Sequence, residues 1–274
     1  MAALAIASFL VYRHLSTQST YHKLEAVAGF DRDKLVDTSV EPSDYGLEID
    51  WDALKAINSE IVGWLYVPGT NLSYPIVHGS DNDFYLNHTA DKSANSSGAI
   101  FLDYENSSDF TDLSTFVYGH NMLGNTMFSE LTGYVDQQFL RDHPRIMIFT
   151  PTNVYDLTVI GAMKCKGTDP VRRTGFSNQD DFANYLVMLG NYQVSGNYQS
   201  LVQASNIYCF STCELFDLTS RVIVMATDTA RVTGATNSFT AIAGTIPAAA
   251  ILSTYQSAHF KMSTSSRRPT RKDS

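Results

Sequence analysis

Short apolar runs separated by turn residues recur from Tyr74 to Thr227, and this pattern limits the fold more than any other feature of the sequence. The runs are SGAIFLDY, STFVYGH, RIMIFTP, VYDLTVIGAMKC, SNIYCFST and RVIVMAT. Runs of this length and composition, bounded by turn residues, are typical of β-strands in a barrel or a sandwich. The chain has 274 residues, of which 44% are hydrophobic, and this is enough to fill such a core. We therefore predict a mostly β fold.

Helical patterns precede and interrupt the strands. Between Tyr21 and Lys55 the spacing of apolar residues predicts two N-terminal helices, with Asp50 as the expected N-cap of the second. The segment SNQDDFANYLVMLGNY predicts a further helix that begins with Ser177 as its cap. This segment is long enough to be a helix inserted between two strands of the barrel rather than a hairpin loop.

The N-terminal stretch MAALAIASFLVYRHL is apolar up to Tyr12 and becomes basic at Arg13. It is shorter than the about 20 apolar residues that a membrane-spanning helix needs. It also lacks the basic start and a clear A-x-A cleavage site of a secretory signal peptide. We interpret residues 1–20 as the outer part of an N-terminal membrane anchor whose cytoplasmic end is missing from this chain. An ordinary buried helix start is the alternative.

The composition changes after Thr227 to Thr, Ala and Ser, with an apolar patch interrupted by Pro247 and a basic end, SSRRPTRK. The proline argues against a regular helix, and the patch is short for a membrane span. We expect residues 21–232 to form the main domain, including its N-terminal helices, and residues 233–274 to form a flexible tail of unknown role. A weak contact of the basic end with anionic lipid is the alternative.

The charge balance argues against one class of partner. The 19 Lys and Arg residues against 28 Asp and Glu residues give a net charge of −9. Because nucleic-acid binding requires a basic surface that neutralises phosphates, we expect no nucleic-acid partner.

The cysteines are the first candidates for chemistry. There are three, Cys165, Cys209 and Cys213, without a CxxC pair, and an odd number leaves at least one thiol free. Cys213 ends the predicted strand NIYCFSTC, where polar residues take over and a substrate can reach the thiol. Cys209 lies in mid-strand between aromatic residues, which is typical of a core cysteine. Alternation along the strand puts Cys209, Ser211 and Cys213 on one face.

A thiol whose pKa is near 8.5 needs a neighbouring base or cation for catalysis. Of the seven histidines, His120 is the best placed, because the apolar strand STFVYGH ends there. Arg221 opens the strand RVIVMAT, and pairing of the two strands would bring it beside Cys213, where it could hold a developing oxyanion. A salt bridge from Arg221 to Asp217 or Glu214 is the alternative.

A cysteine, a histidine and an arginine at strand ends favour a thiol acyltransferase or a thiol protease. A peptidase that hydrolyses its acyl-enzyme would use the same three residues. A membrane-anchored binding barrel, in which Cys213 is only a core residue, is the alternative from another class.

These motifs resemble those of the class B sortases. The segment FSTCE with Arg221 downstream is similar to the sortase signature T-L-x-T-C…R, and FVYGHNMLGNTMF resembles the segment that holds the catalytic histidine. The segments GWLYVPGTNLSYPIV, DNDFYLNH and GAIFLDYEN resemble class B segments in the same order, so that the likeness covers Trp51 to Thr227. Cys209 and Phe210 replace the usual Thr-Leu, the Cys-to-Arg spacing is short, and the tail matches nothing in class B.

The resemblance implies an eight-stranded β-barrel with N-terminal helices and an inserted helix before the cysteine-bearing strand. It implies that Cys213 is the nucleophile, His120 the general acid/base and Arg221 the stabiliser of the oxyanion and the substrate. It also implies that no metal or organic cofactor takes part. The residues that correspond to substrate contacts of the family are Asn82, Leu86 and Ser211.

The resemblance further implies the reaction. A sortase of this class cleaves an N-P-x-T-like C-terminal sorting signal of a secreted surface protein at the threonine carbonyl and forms a thioester on its cysteine. It then transfers the protein to an amine of peptidoglycan or of its lipid-linked precursor. The catalytic domain would lie on the extracellular face of the cell membrane of a Gram-positive bacterium, held by a single-pass anchor.

Overall fold

The fold is built on eleven β-strands in the part of the chain that the structure describes. The computed structural model of the protein describes residues 2–31, 49–214, 217 and 219–228. The strands are β1 (Ile61–Tyr66), β2 (Ser73–Val77), β3 (Ile100–Leu102), β4 (Ser114–Tyr118), β5 (Asn121–Met122), β6 (Thr126–Met127), β7 (Arg145–Phe149), β8 (Val154–Lys166), β9 (Gln193–Gly196), β10 (Ile207–Cys213) and β11 (Ser220–Asp228).

Eight of these strands close into a mixed barrel. They follow the order β11, β10, β4, β3, β2, β1, β7, β8, and β8 then pairs with β11. The pairs β2–β3 and β4–β10 are parallel, whereas the other pairs of the barrel are antiparallel. β9 adds to the edge of β8, and β5 and β6 form a separate hairpin. The predicted eight-stranded barrel is confirmed.

Alternation along β10 separates two hydrophobic cores. Tyr208 and Phe210 belong to the larger core, to which β1, β2, β3 and β7 also contribute. Ile207 and Cys209 lie on the opposite face of the strand and belong to a second core, which is formed with the helix that follows β8. Both faces of the strand are therefore buried, which explains why its sequence is an almost continuous apolar run.

Five α-helices and two short 3-10 helices surround the strands in the described residues. They are α1 (Ala2–Ala28), α2 (Trp51–Ile57), α3 (Gln137–Asp142), α4 (Gln179–Gly190), α5 (Tyr198–Val202) and the 3-10 helices Phe84–Leu86 and Ser129–Val135. The two predicted N-terminal helices are confirmed as α1 and α2, although α1 starts at Ala2 and not near Tyr21. The Asp50 side chain caps α2 by accepting from the Ala53 N–H over 2.9 Å.

The predicted inserted helix is confirmed as α4, but its cap is Asn178 and not Ser177. The Asn178 side chain accepts from the Asp181 N–H over 2.9 Å, and Asp181 in turn accepts from the Ser177 N–H over 3.0 Å. Asparagine and serine are about equally good N-caps, so the sequence did not distinguish between two adjacent candidates. Phe182, Tyr185, Leu186 and Leu189 form the buried face.

The second half of α1 packs against the barrel. Thr17, Tyr21, Leu24 and Ala28 are buried at spacings of three and four residues, which puts them on one face of the helix. No helix within the described residues has both the length and the apolar character needed to cross a membrane. The predicted tail, residues 233–274, lies outside the described residues.

Candidate active site

Two neighbouring parallel strands bring the histidine and the cysteine together. β4 and β10 pair with Tyr118 opposite Ser211. Because both strands run in the same direction, the residues two positions further on, His120 and Cys213, lie side by side where the pairing of β4 and β10 ends. The Asn121 side chain confirms this proximity, since its Nδ2 donates to the Cys213 carbonyl oxygen over 3.0 Å.

The arginine reaches the same place through the antiparallel pairing of β10 and β11. Arg221 lies directly opposite Cys213, and Cys165 of β8 lies opposite Arg221 on its other side. Side chains at opposite positions of an antiparallel pair share a face of the sheet, so the three residues form one row. The guanidinium passes over Gly167, where a Cβ atom would lie 3.4 Å from it. The predicted pairing of these strand ends is confirmed.

The two carboxylates considered as ion-pair partners of Arg221 have other partners. Glu214 forms an ion pair with Lys164, with 2.5 Å between Oε1 and Nζ. Asp217 accepts a hydrogen bond from the Ser220 hydroxyl over 2.6 Å, and the neighbouring hydroxyl donors of this turn lower the pKa of Asp217 to about 2.

The three predicted catalytic residues and the three predicted substrate contacts all line one cavity of about 200 Å³. They come from four separate stretches of the chain, which the barrel brings to one place. The lining residues are Asn82, Leu86, Phe101, Tyr118, Gly119, His120, Ser211, Thr212, Cys213 and Arg221.

The His120 ring is held by the loop between β2 and β3. Its Nε2 lies 2.8 Å from the Leu86 carbonyl oxygen. A carbonyl oxygen only accepts, so Nε2 carries the proton in this contact and Nδ1 is the ring nitrogen left for proton exchange. The loop approaches so closely that a Cβ atom at Gly98 would lie 3.0 Å from His120 Cδ2. The Tyr21 hydroxyl of α1 donates to the Gly98 carbonyl oxygen over 2.8 Å and so attaches the loop to the helix.

Only glycine fits at position 119, which precedes His120, because the neighbouring side chains leave no space for a Cβ atom. A Cβ atom there would lie 2.4 Å from Ile100 Cδ1 and 2.8 Å from the Phe128 ring. Its N–H donates to the Ser211 carbonyl oxygen over 3.2 Å, which extends the contact between β4 and β10 to the edge of the cavity.

The three cysteines differ in exposure. Cys213 is partly exposed, whereas Cys165 and Cys209 are buried. Burial raises the pKa of the Cys209 thiol far above its ordinary value, as predicted for a core cysteine. Burial and Asp169 raise the pKa of Cys165 to about 11, although Arg221 opposes this shift. Both buried groups therefore stay as thiols at neutral pH, and Cys213 is the cysteine that a substrate can reach.

Asn82 lies at another side of the cavity with its side-chain amide fixed at both ends. Its Nδ2 donates to Asp103 over 3.1 Å, and its Oδ1 accepts from the Tyr104 N–H over 3.1 Å. These two partners determine which end of the amide is oxygen and which is nitrogen.

Several residues around the cavity were not predicted. They are Phe101, Tyr118, Gly119, Thr212 and Asn121. All of them lie inside the segments GAIFLDY, FVYGHN and FSTC, so a signal was present, but the sequence alone did not show which of these side chains face the cavity.

The fold and the site define a class of protein: a β-barrel enzyme with an accessible cysteine, a histidine and an arginine at the ends of neighbouring strands. The chain is 33% identical to sortase B of Staphylococcus aureus over 178 residues, which cover 64% of this chain and 73% of the relative. It is 32% identical to sortase B of Listeria monocytogenes over 161 residues, 59% of this chain and 65% of that protein.

A solved structure of a Staphylococcus aureus sortase B–substrate complex is also similar. It matches with a TM-score of 0.66 and 30% identity over 79% of this chain and 97% of that chain. A scan against models of protein families found no match. The chain belongs to the sortase B family of cysteine transpeptidases.

Proposed function

We propose that the protein cleaves an N-P-x-T-like C-terminal sorting signal at the threonine carbonyl and transfers the cleaved protein to an amine of peptidoglycan. The convergence of Cys213, His120 and Arg221 around one cavity is the observation that carries this proposal. The similarity to a sortase B that was solved as a complex with its substrate supports a sorting-signal substrate as the ligand of this cavity.

The three residues have separate roles in the proposed reaction. Cys213 gives its thiol proton to His120, and the resulting thiolate attacks the threonine carbonyl carbon. Arg221, opposite Cys213 on β11, stabilises the negative charge that develops on the carbonyl oxygen. His120 donates a proton to the leaving amine, and the peptide bond breaks to give a thioester. An incoming amine attacks the thioester and gives its proton to His120, which releases Cys213 as a thiolate. The acyl group ends on the new amine.

The location follows from the two substrates. A secreted protein and a peptidoglycan amine, or that of a lipid-linked precursor, meet on the outer face of the cell membrane. We propose that the catalytic domain works there, at the surface of a Gram-positive bacterium, held by an N-terminal membrane anchor.

Product analysis in the presence of an amine tests the reaction type. With an N-P-x-T peptide and triglycine, we expect a product in which the peptide, cleaved after threonine, is joined to triglycine, because the thioester is attacked by an amine. Mass spectrometry of the products, with Cys213→Ala as control, measures this. Hydrolysed peptide alone at every triglycine concentration would instead identify a thiol peptidase, and an unreactive thiol without any product would favour a binding barrel.

Gly98→Ala tests how the loop holds His120. Gly98 has a φ of +63°, and an added Cβ would lie 2.6 Å from the Tyr85 carbonyl oxygen and 3.0 Å from the His120 ring. We expect the free energy of unfolding to fall by more than about 1 kcal/mol. We expect kcat/KM for transfer to fall by up to about 10²-fold, because a displacement of about 1 Å is enough for such a loss.

Gly175→Ala is the matched control, since a Cβ atom there meets no atom within 4 Å. Thermal unfolding and transfer kinetics of both variants give the comparison. Equal activity of Gly98→Ala and the parent protein would show that this contact does not position the histidine.

A further inference from the structure

A fully buried carboxylate lies directly behind the wall of the cavity. Asp103, which follows β3, has no exposed surface and accepts hydrogen bonds from four residues. Arg172 Nε and Nη2 donate to its two oxygens over 2.6 and 2.7 Å. The Tyr118 hydroxyl donates over 2.8 Å, Asn82 Nδ2 over 3.1 Å and the Glu105 N–H over 3.1 Å.

Two of these four donors are part of the cavity, and Arg172 connects it to another part of the chain. Asn82 and Tyr118 line the cavity. Arg172 lies between β8 and α4, and its Nη2 also donates to Glu105 over 2.6 Å. The Thr174 hydroxyl donates to the same carboxylate over 3.0 Å. The segment between β8 and α4 is therefore fixed to the segment after β3 by two ion pairs and several hydrogen bonds.

Arg172 allows the Asp103 carboxylate to be buried as an anion. Burial by itself would raise the pKa of Asp103, but hydrogen bonds from Arg172, the Glu105 backbone and Tyr118 outweigh it and hold that pKa below its ordinary value. Without Arg172, a buried anion would lack its counter-charge and would have to bind a proton or water. A protonated oxygen becomes a donor, and Asp103 would then no longer accept from both Asn82 and Tyr118 in the same way.

We propose that Asp103 and Arg172 are positioning residues for the sorting signal, because they fix Asn82 and Tyr118 in the cavity wall and attach the segment between β8 and α4 to it. This inference rests on the proposed function. It concerns recognition of the peptide and not the attack by the thiol, because neither residue lines the cavity.

Arg172→Met in the full chain tests this role, with Arg173→Met as the matched control. The two arginines are adjacent and similarly exposed, at 40% and 39% of their side chains. Arg173 pairs with Asp181 over 2.5 Å and lies over the Phe176 ring at 4.6 Å, so its removal also breaks an ion pair. The measured quantities are kcat and KM for peptide transfer, the rate of Cys213 alkylation by iodoacetamide, and thermal unfolding.

For Arg172→Met we expect the KM for the peptide to rise by about tenfold to hundredfold, the range for loss of one buried charge-assisted hydrogen bond. We expect alkylation of Cys213 to change by less than about twofold, because a small reagent does not use the peptide-binding wall. Arg173→Met should keep the parent KM. A purely structural role would lower the amount of folded protein without changing the KM of the folded fraction.

A parent-like KM in folded Arg172→Met, or an equal rise in Arg173→Met, would overturn the inference and leave the proposed function intact. If Arg172→Met does not fold, Tyr118→Phe and Arg172→Lys replace it. The first removes one donor to Asp103 without leaving an unpaired charge, and the second keeps the charge but loses the bidentate contact, so both should raise KM. A parent protein that transfers no peptide would overturn the proposed function and this inference together.

Discussion

Replacement of Cys213 by alanine is expected to remove both transfer and hydrolysis of a sorting peptide and to leave the barrel folded. Among the described residues that line the cavity, Cys213 has the only thiol, so no slower route through the same thioester remains. Cys213 is the last residue of β10 and is partly exposed. Because alanine keeps the backbone pairing with Arg221 and leaves the two hydrophobic cores intact, circular dichroism and thermal unfolding should match the parent protein.

The other two cysteines provide the matched controls. Cys165→Ala and Cys209→Ala should retain transfer activity, although Cys209→Ala should lower the thermal unfolding temperature, because it removes a fully buried side chain. Residual turnover in Cys213→Ala, or loss of activity in Cys209→Ala while the protein stays folded, would show that the nucleophile has been misassigned. Unfolding of Cys213→Ala would identify this residue as a core cysteine.

Replacement of Arg221 by methionine is expected to lower kcat/KM by roughly 10²–10³, the loss measured when one oxyanion donor is removed from an enzyme. Methionine fills a similar volume but donates no hydrogen bond. Arg221→Lys should recover only part of the activity, because an ammonium group lacks the planar fork of the guanidinium. Steady-state transfer kinetics of the two variants, alongside the parent, measure the effect.

Arg145→Met controls for the general effect of losing an arginine, because Arg145 pairs with Asp156 between β7 and β8 and does not line the cavity. This variant should lose some thermal stability and keep its turnover. If Arg221→Met turned over as fast as Arg145→Met, Arg221 would have no part in stabilising the oxyanion.

The parts of the site that sequence predicts are those that depend on local pattern. Continuous apolar runs located β10 and β11, and the change to polar residues after Cys213 marked the end of β10. Since consecutive strands with a short connection usually pair, the position of Arg221 opposite Cys213 followed from the sequence.

The parts that sequence did not predict depend on contacts between distant residues. The parallel register of β4 and β10, which puts His120 beside Cys213, is set by packing of the closed barrel. The pair Asp103–Arg172 joins residues 69 positions apart, and nothing in the segment DPVRRTGF distinguishes Arg172 from Arg173. The resemblance to class B supplied Asn82 and Leu86, but not the carboxylate that fixes Asn82.

The most direct test is intact-mass spectrometry of the protein after incubation with a panel of N-P-x-T and S-P-x-T peptides, beside the same experiment with Cys213→Ala. We expect a mass increase equal to the peptide portion up to its threonine on the parent protein, its absence from the variant, and its loss when triglycine is added. The absence of any adduct with all peptides, together with equal labelling of the thiol in folded and denatured protein, would contradict a thioester on Cys213.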